Sequence, residues 1–166
     1  MFSGLFHPLK YKNKKKSTIF KNEKNEELIQ ELRSEGITDE KILSAIRMVP
    51  RELFTENLDE AYENKALSVE CSQTLTQPFC TAFMISSLDL RPTNNVLEIG
   101  TGVGWTTAVI SKLVKTVFTM ERFKKLLDIA KKNIAKLKIE NVQFKLGNGF
   151  EGWGDKTLFD AIDVNL

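Results

Sequence analysis

The chain has 166 residues, of which 42% are hydrophobic and 28% are charged, and this composition is typical of one globular domain with its own core. Two cysteines, Cys71 and Cys80, and one histidine, His7, argue against a disulfide framework, a metal site and catalysis by a histidine base. The formal net charge of +2 says little about partners, because a lysine run between residues 10 and 21 carries the excess.

Residues 1–22 are predicted to form a basic, disordered tail. Such a lysine run could bind nucleic acid or a membrane surface, but a single cluster is more often a solvated tail. The tail has neither the apolar stretch of a signal peptide nor the arginines of a transit peptide, and no apolar run is long enough to span a bilayer. A cytoplasmic protein without a membrane partner is therefore expected.

Two short helices are predicted next. Apolar side chains lie on one face of a helix from Asn25 to Arg33, and Gly36 is placed as its C-terminal cap. Thr38 is the predicted N-cap of a second helix, which runs to about Val49 because the following proline cannot continue it.

Residues 53–77 show no sustained period and are predicted to form a loop, with one turn of helix around Glu56–Tyr62. Long irregular stretches in compact domains are often functional. After Pro78 a dense set of apolar residues predicts a buried helix that ends near Arg91.

The second half of the chain alternates strands and helices. The predicted elements are a strand at Val96–Ile99, a helix at Trp105–Lys115, a strand at Thr116–Met120, a helix at Leu126–Leu137 with a solvated lysine face, and strands at Val142–Leu146 and Phe159–Val164. This order is typical of a parallel sheet with right-handed crossovers. The sequence therefore predicts an α/β, Rossmann-like fold with a mostly parallel sheet and N-terminal helices.

Three glycines, Gly100, Gly102 and Gly104, lie between the first strand of this region and its helix. Their G-x-G-x-G spacing differs from the G-x-G-x-x-G of dinucleotide-binding folds, which disfavours a nicotinamide or flavin cofactor. Glu121 follows the second strand, where a carboxylate can accept hydrogen bonds from both hydroxyls of a ribose. A ligand with a ribose but no pyrophosphate fits this pair, and S-adenosylmethionine is such a ligand; the alternative is a tight turn without a ligand.

Glu98 is a carboxylate within the apolar strand before the glycines. Backbone N–H groups of the turn are expected to satisfy it and to hold the loop in shape. A second role, placing the methionine end of a cofactor, is compatible with the first.

Four strings identify a family. They are GITDEKILSAIRMVPRELF at residues 36–54, ENKALSVECSQTLTQPF at 63–79, VLEIGTGVGWTTAVISKLV at 96–114 and GNGFEGW at 147–153. Many methyltransferases share the third in outline, whereas the other three narrow the choice. Over most of Asn25–Ile162 the sequence resembles the protein-L-isoaspartate O-methyltransferases.

The resemblance implies a class I S-adenosylmethionine-dependent methyltransferase that methylates the α-carboxylate of L-isoaspartyl residues in damaged proteins, a repair reaction. A carboxylate is ionised at neutral pH and needs no general base, so alignment in a shielded site suffices for catalysis. The implied partners are isoaspartyl peptides and proteins, and a monomer is expected. Residues 23–166 then form one domain, with N-terminal helices and a substrate loop at 23–91 and a partial cofactor-binding core at 92–166.

The resemblance also implies the site residues. Thr76 takes the place of the family's serine at the active site, although its hydroxyl could instead cap the helix after Pro78. The implied substrate-binding residues are Ser72, Gln73, Thr74 and Gln77. The implied cofactor-binding residues are Glu98, Gly100, Thr101, Gly102, Gly104, Glu121, Asn148 and Gly149.

The sequence departs from the family pattern at three places. Glu70 and Ser72 stand where glycines are usual, and the charge of Glu70 is expected to disfavour a substrate carboxylate. Asn148 replaces an aspartate, so weaker cofactor binding is expected. Family members continue beyond the fourth strand, so the chain is expected to be a C-terminally truncated member with an incomplete sheet.

Two alternatives remain open. One is a truncated, non-catalytic relic that still binds S-adenosylmethionine. The other is a nucleic-acid-binding or nucleic-acid-modifying protein that uses the lysine tail. The residues after the fourth strand lack the Asn/Asp-Pro-Pro-aromatic string of base-modifying enzymes, which argues against nucleic acid.

Overall fold

The computed structural model describes residues 23–154 and 158–165, so the predicted tail at 1–22 lies outside the described residues. Two helices begin the described chain: α1 spans residues 23–34 and α2 spans Glu40–Met48. Gly36 adopts a left-handed φ of 102° and ends α1, as predicted. Asp39 caps α2 by accepting a hydrogen bond from the N–H of Lys41, so the predicted cap at Thr38 is wrong by one residue.

The segment between α2 and α3 contains short elements only. A 3-10 turn at Arg51–Leu53 is followed by strands β1 (Leu67–Ser68) and β2 (Thr74–Leu75), which pair antiparallel around a second 3-10 turn at Glu70–Ser72. The predicted turn of helix at 56–62 is wrong, because these residues form bends and turns.

Local hydrogen bonds from polar side chains explain why no helix forms in this segment. The Thr55 hydroxyl accepts a hydrogen bond from the N–H of Asn57, and the Asn57 amide oxygen accepts one from the N–H of Glu60. Short polar side chains of this kind satisfy backbone groups outside a helix and so compete with helix formation.

The helix α3 (Pro78–Ser87) ends before the predicted Arg91, and the parallel sheet follows it. The remaining elements are β3 (Asn95–Ile99), α4 (Trp105–Ile110), β4 (Thr116–Glu121), α5 (Lys124–Lys136), β5 (Val142–Leu146) and β6 (Ala161–Val164). All pairings in this sheet are parallel, as predicted. The helix α4 is shorter than predicted, since residues 111–113 form turns.

The strand order is β5-β4-β3-β6, so the chain steps to one side of β3 and then returns to its other side. In open parallel sheets this reversal leaves a crevice at the carboxyl ends of the strands, where ligands bind. The glycine loop after β3 and Glu121 at the end of β4 both lie at this edge.

The apolar core forms two clusters on the described chain. The larger one joins α1, α2 and α3 to the sheet and to α4 and α5, so the N-terminal helices share a core with the sheet. The smaller one contains Leu97, Phe118 and Met120, with Trp153 and Phe159 packed against it. No helix in residues 23–154 and 158–165 has the length and apolarity to cross a membrane.

Candidate cofactor and substrate site

The glycine loop has a backbone that only glycine adopts readily. Gly100, Gly102 and Gly104 have φ values of 95°, 55° and 94°. A Cβ at Gly100 would lie 1.7 Å from the carbonyl oxygen of Asn165, whereas a Cβ at Gly102 would meet no atom within 4 Å. The loop therefore packs against the end of β6 at its start and faces open space at its centre.

Glu121 fixes the loop from the end of β4. Its carboxylate accepts hydrogen bonds from the N–H groups of Gly102 at 2.8 Å and Phe123 at 2.9 Å, one on each oxygen. Each carboxylate oxygen has a second lone pair, and Glu121 lines the cleft beside the loop. Two adjacent acceptors of this kind suit the two hydroxyls of a ribose.

Glu98 is fully buried and does not line the cleft. It accepts hydrogen bonds from the hydroxyls of Thr107 on α4 and Thr119 on β4, so the expected backbone N–H partners from the turn are wrong. Alternation along β3 directs this side chain towards α4 instead of along the strand axis to the loop. Thr101, the loop residue nearest this network, places its hydroxyl 2.6 Å from that of Thr119.

Burial raises the pKa of Glu98 to about 8, against the lowering effect of its two hydroxyl partners. Its Oε1 has no hydrogen-bond partner among the described residues. Asp163, opposite Glu98 on β6, is also buried, and burial raises its pKa to about 6. Glu98 is thus mainly a neutral acid at neutral pH and Asp163 mainly a carboxylate.

The predicted substrate residues divide into two groups. Gln73, Thr74 and Thr76 line the cleft together with the glycine loop. Ser72 is exposed outside the cleft, and Gln77 donates from Nε2 to the carbonyl oxygen of Asn64 at 2.9 Å. The structure therefore brings three of the five together with the cofactor residues.

Thr76 does not cap α3. The N-cap residue is Gln77, and no side chain provides a cap hydrogen bond there. The Thr76 hydroxyl instead lies 3.5 Å from Oδ1 of Asn165. The capping alternative is wrong because the helix begins one residue later than that role requires.

Arg51 holds the substrate loop, a role that the sequence pattern did not predict. Its guanidinium is buried and donates 2.9–3.3 Å hydrogen bonds to the carbonyl oxygens of Ala61, Glu63, Lys65 and Thr76. It also stacks on the ring of Trp105, 5.0 Å from the centroid. Burial lowers its pKa to about 10, so it stays charged at neutral pH. Only its place in the VPRELF string offered a signal, since nothing in the spacing indicates burial.

The residues at the usual glycine positions have two different environments. Glu70 pairs with Nζ of Lys125 on α5 at 2.7 Å, so the added negative charge of the loop is compensated. Ser72 has a φ of 55° and Cys71 a φ of 60°, which is the left-handed region that favours glycine.

A wider part of the cleft extends from Glu121 along the end of β5. It has a volume of about 510 Å³ and is lined by Asn148, Gly149 and the partly buried Phe123. The Oδ1 of Asn148 accepts a hydrogen bond from the N–H of Phe150 at 3.1 Å and keeps a second lone pair. A Cβ at Gly149 would lie 2.3 Å from Ile99, so glycine permits the close approach of this turn to β3.

The two parts of the cleft meet at Gln73, Gly100, Glu121 and Asn165. Asn165 was not among the site residues predicted from the sequence. Its N–H bonds to the carbonyl oxygen of Ile99 at 2.8 Å, which holds it at the carboxyl end of the sheet.

The parallel sheet with its reversed strand order, the glycine loop and the acidic end of β4 define a class I S-adenosylmethionine-dependent methyltransferase. The sequence profile of the family described as protein-L-isoaspartate(D-aspartate) O-methyltransferase matches residues 22–166. The chain belongs to this family.

Individual relatives agree with the family profile. A protein-L-isoaspartate O-methyltransferase of Dictyoglomus turgidum is 44% identical over 161 residues, which cover 96% of this chain. One of Aliivibrio fischeri is 48% identical over 145 residues, which cover 86% of this chain. A solved protein-L-isoaspartate O-methyltransferase matches 84% of this chain with 33% identity and a TM-score of 0.76.

The chain is shorter than these proteins. It spans 69% and 70% of the length of the two curated relatives, and 47% of the length of the solved chain. A Plasmodium falciparum structure in complex with S-adenosyl-L-homocysteine has a TM-score of 0.73 at 23% identity, which shows the fold.

Proposed function

We propose that this chain binds S-adenosylmethionine at the carboxyl edge of the sheet and transfers its methyl group to the α-carboxylate of L-isoaspartyl residues in damaged proteins. Family membership supports the reaction, and the contact between Glu121 and the N–H of Gly102 at 2.8 Å carries the assignment of the cofactor site. That contact places two carboxylate acceptors beside an open, left-handed glycine backbone.

The residues present fit this cofactor. The cleft of about 510 Å³ is in the size range of small-molecule sites. Asn148 offers an acceptor for an adenine amino group and Phe123 an apolar neighbour, while Glu121 offers acceptors for the ribose. The bound cofactor supplies a methyl carbon that its sulfonium makes electrophilic.

The chain's own residues then have to hold a carboxylate in line with that carbon and keep water away. Gln73, Thr74 and Thr76 line the same cleft as the glycine loop, within reach of a substrate bound there. The Thr76 hydroxyl is the donor we assign to the substrate carboxylate. With the cofactor bound, the carboxylate oxygen held by Thr76 would accept the methyl group, and S-adenosylhomocysteine would be the leaving group.

Transfer of a labelled methyl group tests the proposal. We expect transfer to a peptide with an isoaspartyl residue and none to the same peptide with ordinary aspartate. Glu121→Ala should weaken S-adenosylhomocysteine binding about tenfold or more, since hydrogen bonds to charged groups contribute about 1.5–3 kcal/mol. Asp128→Ala, which removes an exposed carboxylate paired with Lys124, is the matched control and should leave binding unchanged.

Different outcomes separate the alternatives. A folded protein that binds S-adenosylhomocysteine without methyl transfer would be the non-catalytic relic. A folded protein whose melting temperature ignores S-adenosylhomocysteine would contradict the cofactor site itself. The cytoplasmic location and the monomeric state stay predictions, and light scattering of the purified protein measures the latter.

A further inference from the structure

A chain of polar contacts links the end of β6 to the substrate loop. Asn165 donates from Nδ2 to Oδ2 of Asp163 at 2.7 Å, and its Oδ1 lies 3.5 Å from Oγ1 of Thr76. Asp163 is 3% exposed, whereas Asn165 borders the cleft. The contacts therefore connect a buried carboxylate to the hydroxyl that we assign to the substrate.

The direction of each hydrogen bond follows from the groups. An ionised carboxylate only accepts, so the amide nitrogen of Asn165 faces Asp163 and the amide oxygen faces Thr76. An amide oxygen also only accepts, so the proton of the second contact belongs to Thr76. In this long contact of 3.5 Å the Thr76 hydroxyl can act only as the donor and the Asn165 amide oxygen only as the acceptor.

Backbone contacts hold both residues in place. The carbonyl oxygen of Thr76 accepts a 3.0 Å hydrogen bond from buried Arg51. The N–H of Asn165 bonds to Ile99, and its carbonyl packs on the Cα of Gly100, where a side chain would clash. The backbones of the two residues are therefore held at this edge of the sheet.

A substrate carboxylate is also purely an acceptor, so it needs the proton that Asn165 holds. We propose that Asn165, oriented by Asp163, is a positioning residue that competes with the substrate carboxylate for the Thr76 proton and so sets substrate affinity. This inference rests on the proposed function.

The KM for an isoaspartyl peptide tests the competition. Asn165→Ala removes the competing acceptor, and Asp163→Asn allows the Asn165 amide to turn its nitrogen towards Thr76. Both should lower KM about threefold to tenfold and change kcat less, because one net hydrogen bond is worth about 1 kcal/mol.

A second background separates positioning from a structural role. In the Thr76→Val background there is no proton to compete for, so Asp163→Asn should leave KM unchanged. A structural effect of Asp163→Asn would change KM in both backgrounds. The melting temperature with S-adenosylhomocysteine checks that each variant is folded.

Unchanged or raised KM in Asn165→Ala and Asp163→Asn overturns the inference, as does an effect of Asp163→Asn that persists in the Thr76→Val background. A wild-type protein that binds S-adenosylhomocysteine but transfers no methyl group overturns only the proposed function. In that case the affinity for the isoaspartyl peptide is measured by calorimetry in the presence of S-adenosylhomocysteine, and the same variants are compared by this affinity instead of by KM. Tighter binding by both variants supports the competition, and unchanged affinity contradicts it.

Discussion

Ser72 and Cys71 hold left-handed backbone conformations within the loop that carries Gln73 and Thr76. For a residue with a Cβ this conformation costs about 1–2 kcal/mol. Ser72 is exposed, and among the described residues its side chain makes no hydrogen bond, while its backbone carbonyl accepts one from Nε2 of Gln73. The family pattern has a glycine where this chain has Ser72, and the φ of 55° at Ser72 gives the physical reason for that glycine.

Ser72→Gly should therefore raise the free energy of unfolding by up to about 1 kcal/mol, since glycine relieves the strain but gains entropy in the unfolded chain. Urea denaturation measures the change. Ser68→Gly in β1, where the backbone is extended, is the matched control and should lower stability by about 0.5–1 kcal/mol. Equal destabilisation by both would contradict the left-handed conformation.

Residues of the glycine loop could be assigned from sequence because their chemistry is local. Gly100, Gly102 and Glu121 lie in or beside the strand ends that the pattern indicates, and the structure brings them to one cleft. Arg51 and Asn165 could not be assigned in this way. Their contacts with Thr76 bridge 25 and 89 residues, and no periodicity encodes such a separation.

The loop from Ala61 to Thr76 has little regular secondary structure: it contains only the two short strands β1 and β2 and the 3-10 turn between them. Its carbonyl groups converge on one buried guanidinium at the base of the 3-10 turn, Arg51. A planar fork with several donors can serve four acceptors at once, whereas an ammonium group on a lysine cannot span them.

Arg51→Lys should lower the free energy of unfolding by about 2–4 kcal/mol, because buried carbonyl groups lose partners at about 1–3 kcal/mol each and local relaxation recovers part of this. Limited proteolysis should cut the loop faster as well. Arg91→Lys, at an exposed pair with Asp89, is the control and should change neither. An unaltered cutting rate in Arg51→Lys would mean that other contacts hold the loop.

Strands were predicted more closely than loops and helix ends. The bounds of β5 match the prediction, and those of β3 and β4 differ from it by a single residue. Short apolar runs between turns leave little choice of where a strand begins and ends. The ends of α3 and α4 were placed too late. The Ser86 and Ser87 hydroxyls bond to the carbonyl oxygen of Phe83, a side-chain alternative to continued helix that apolar density does not reveal.

At the scale of the whole molecule, the described part of the sheet contains two buried acids with a raised pKa, Glu98 and Asp163. Asp163 and Glu121 are the charged groups that raise the pKa of Glu98 further, while the hydroxyls of Thr107 and Thr119 lower it. A raised pKa means that the folded state holds a proton that the unfolded state releases. The stabilisation is then complete below the unfolded pKa and is lost as pH rises through the folded pKa.

The melting temperature should therefore fall as pH rises from 4.5 to 8, the interval between the ordinary and the folded pKa of Glu98. Each unit of difference corresponds to about 1.4 kcal/mol of folding free energy. Glu98→Gln keeps an acceptor for the threonine hydroxyls and removes the titration, so its melting temperature should fall less over this interval. Parallel curves for the two proteins would show that Glu98 does not titrate there.

The position of Trp105, stacked under Arg51 next to the glycine loop, also offers a way to follow ligand binding by tryptophan fluorescence. The chain has two tryptophans, and they lie in separate apolar clusters, with Trp153 against Phe118. Trp105 follows the glycine loop at the start of α4, and its buried indole lies under the Arg51 guanidinium with Nε1 3.5 Å from the carbonyl oxygen of Val49. With Trp153 replaced in Trp153→Phe, a change in the emission of Trp105 on addition of S-adenosylhomocysteine would report ligand binding at the neighbouring loop.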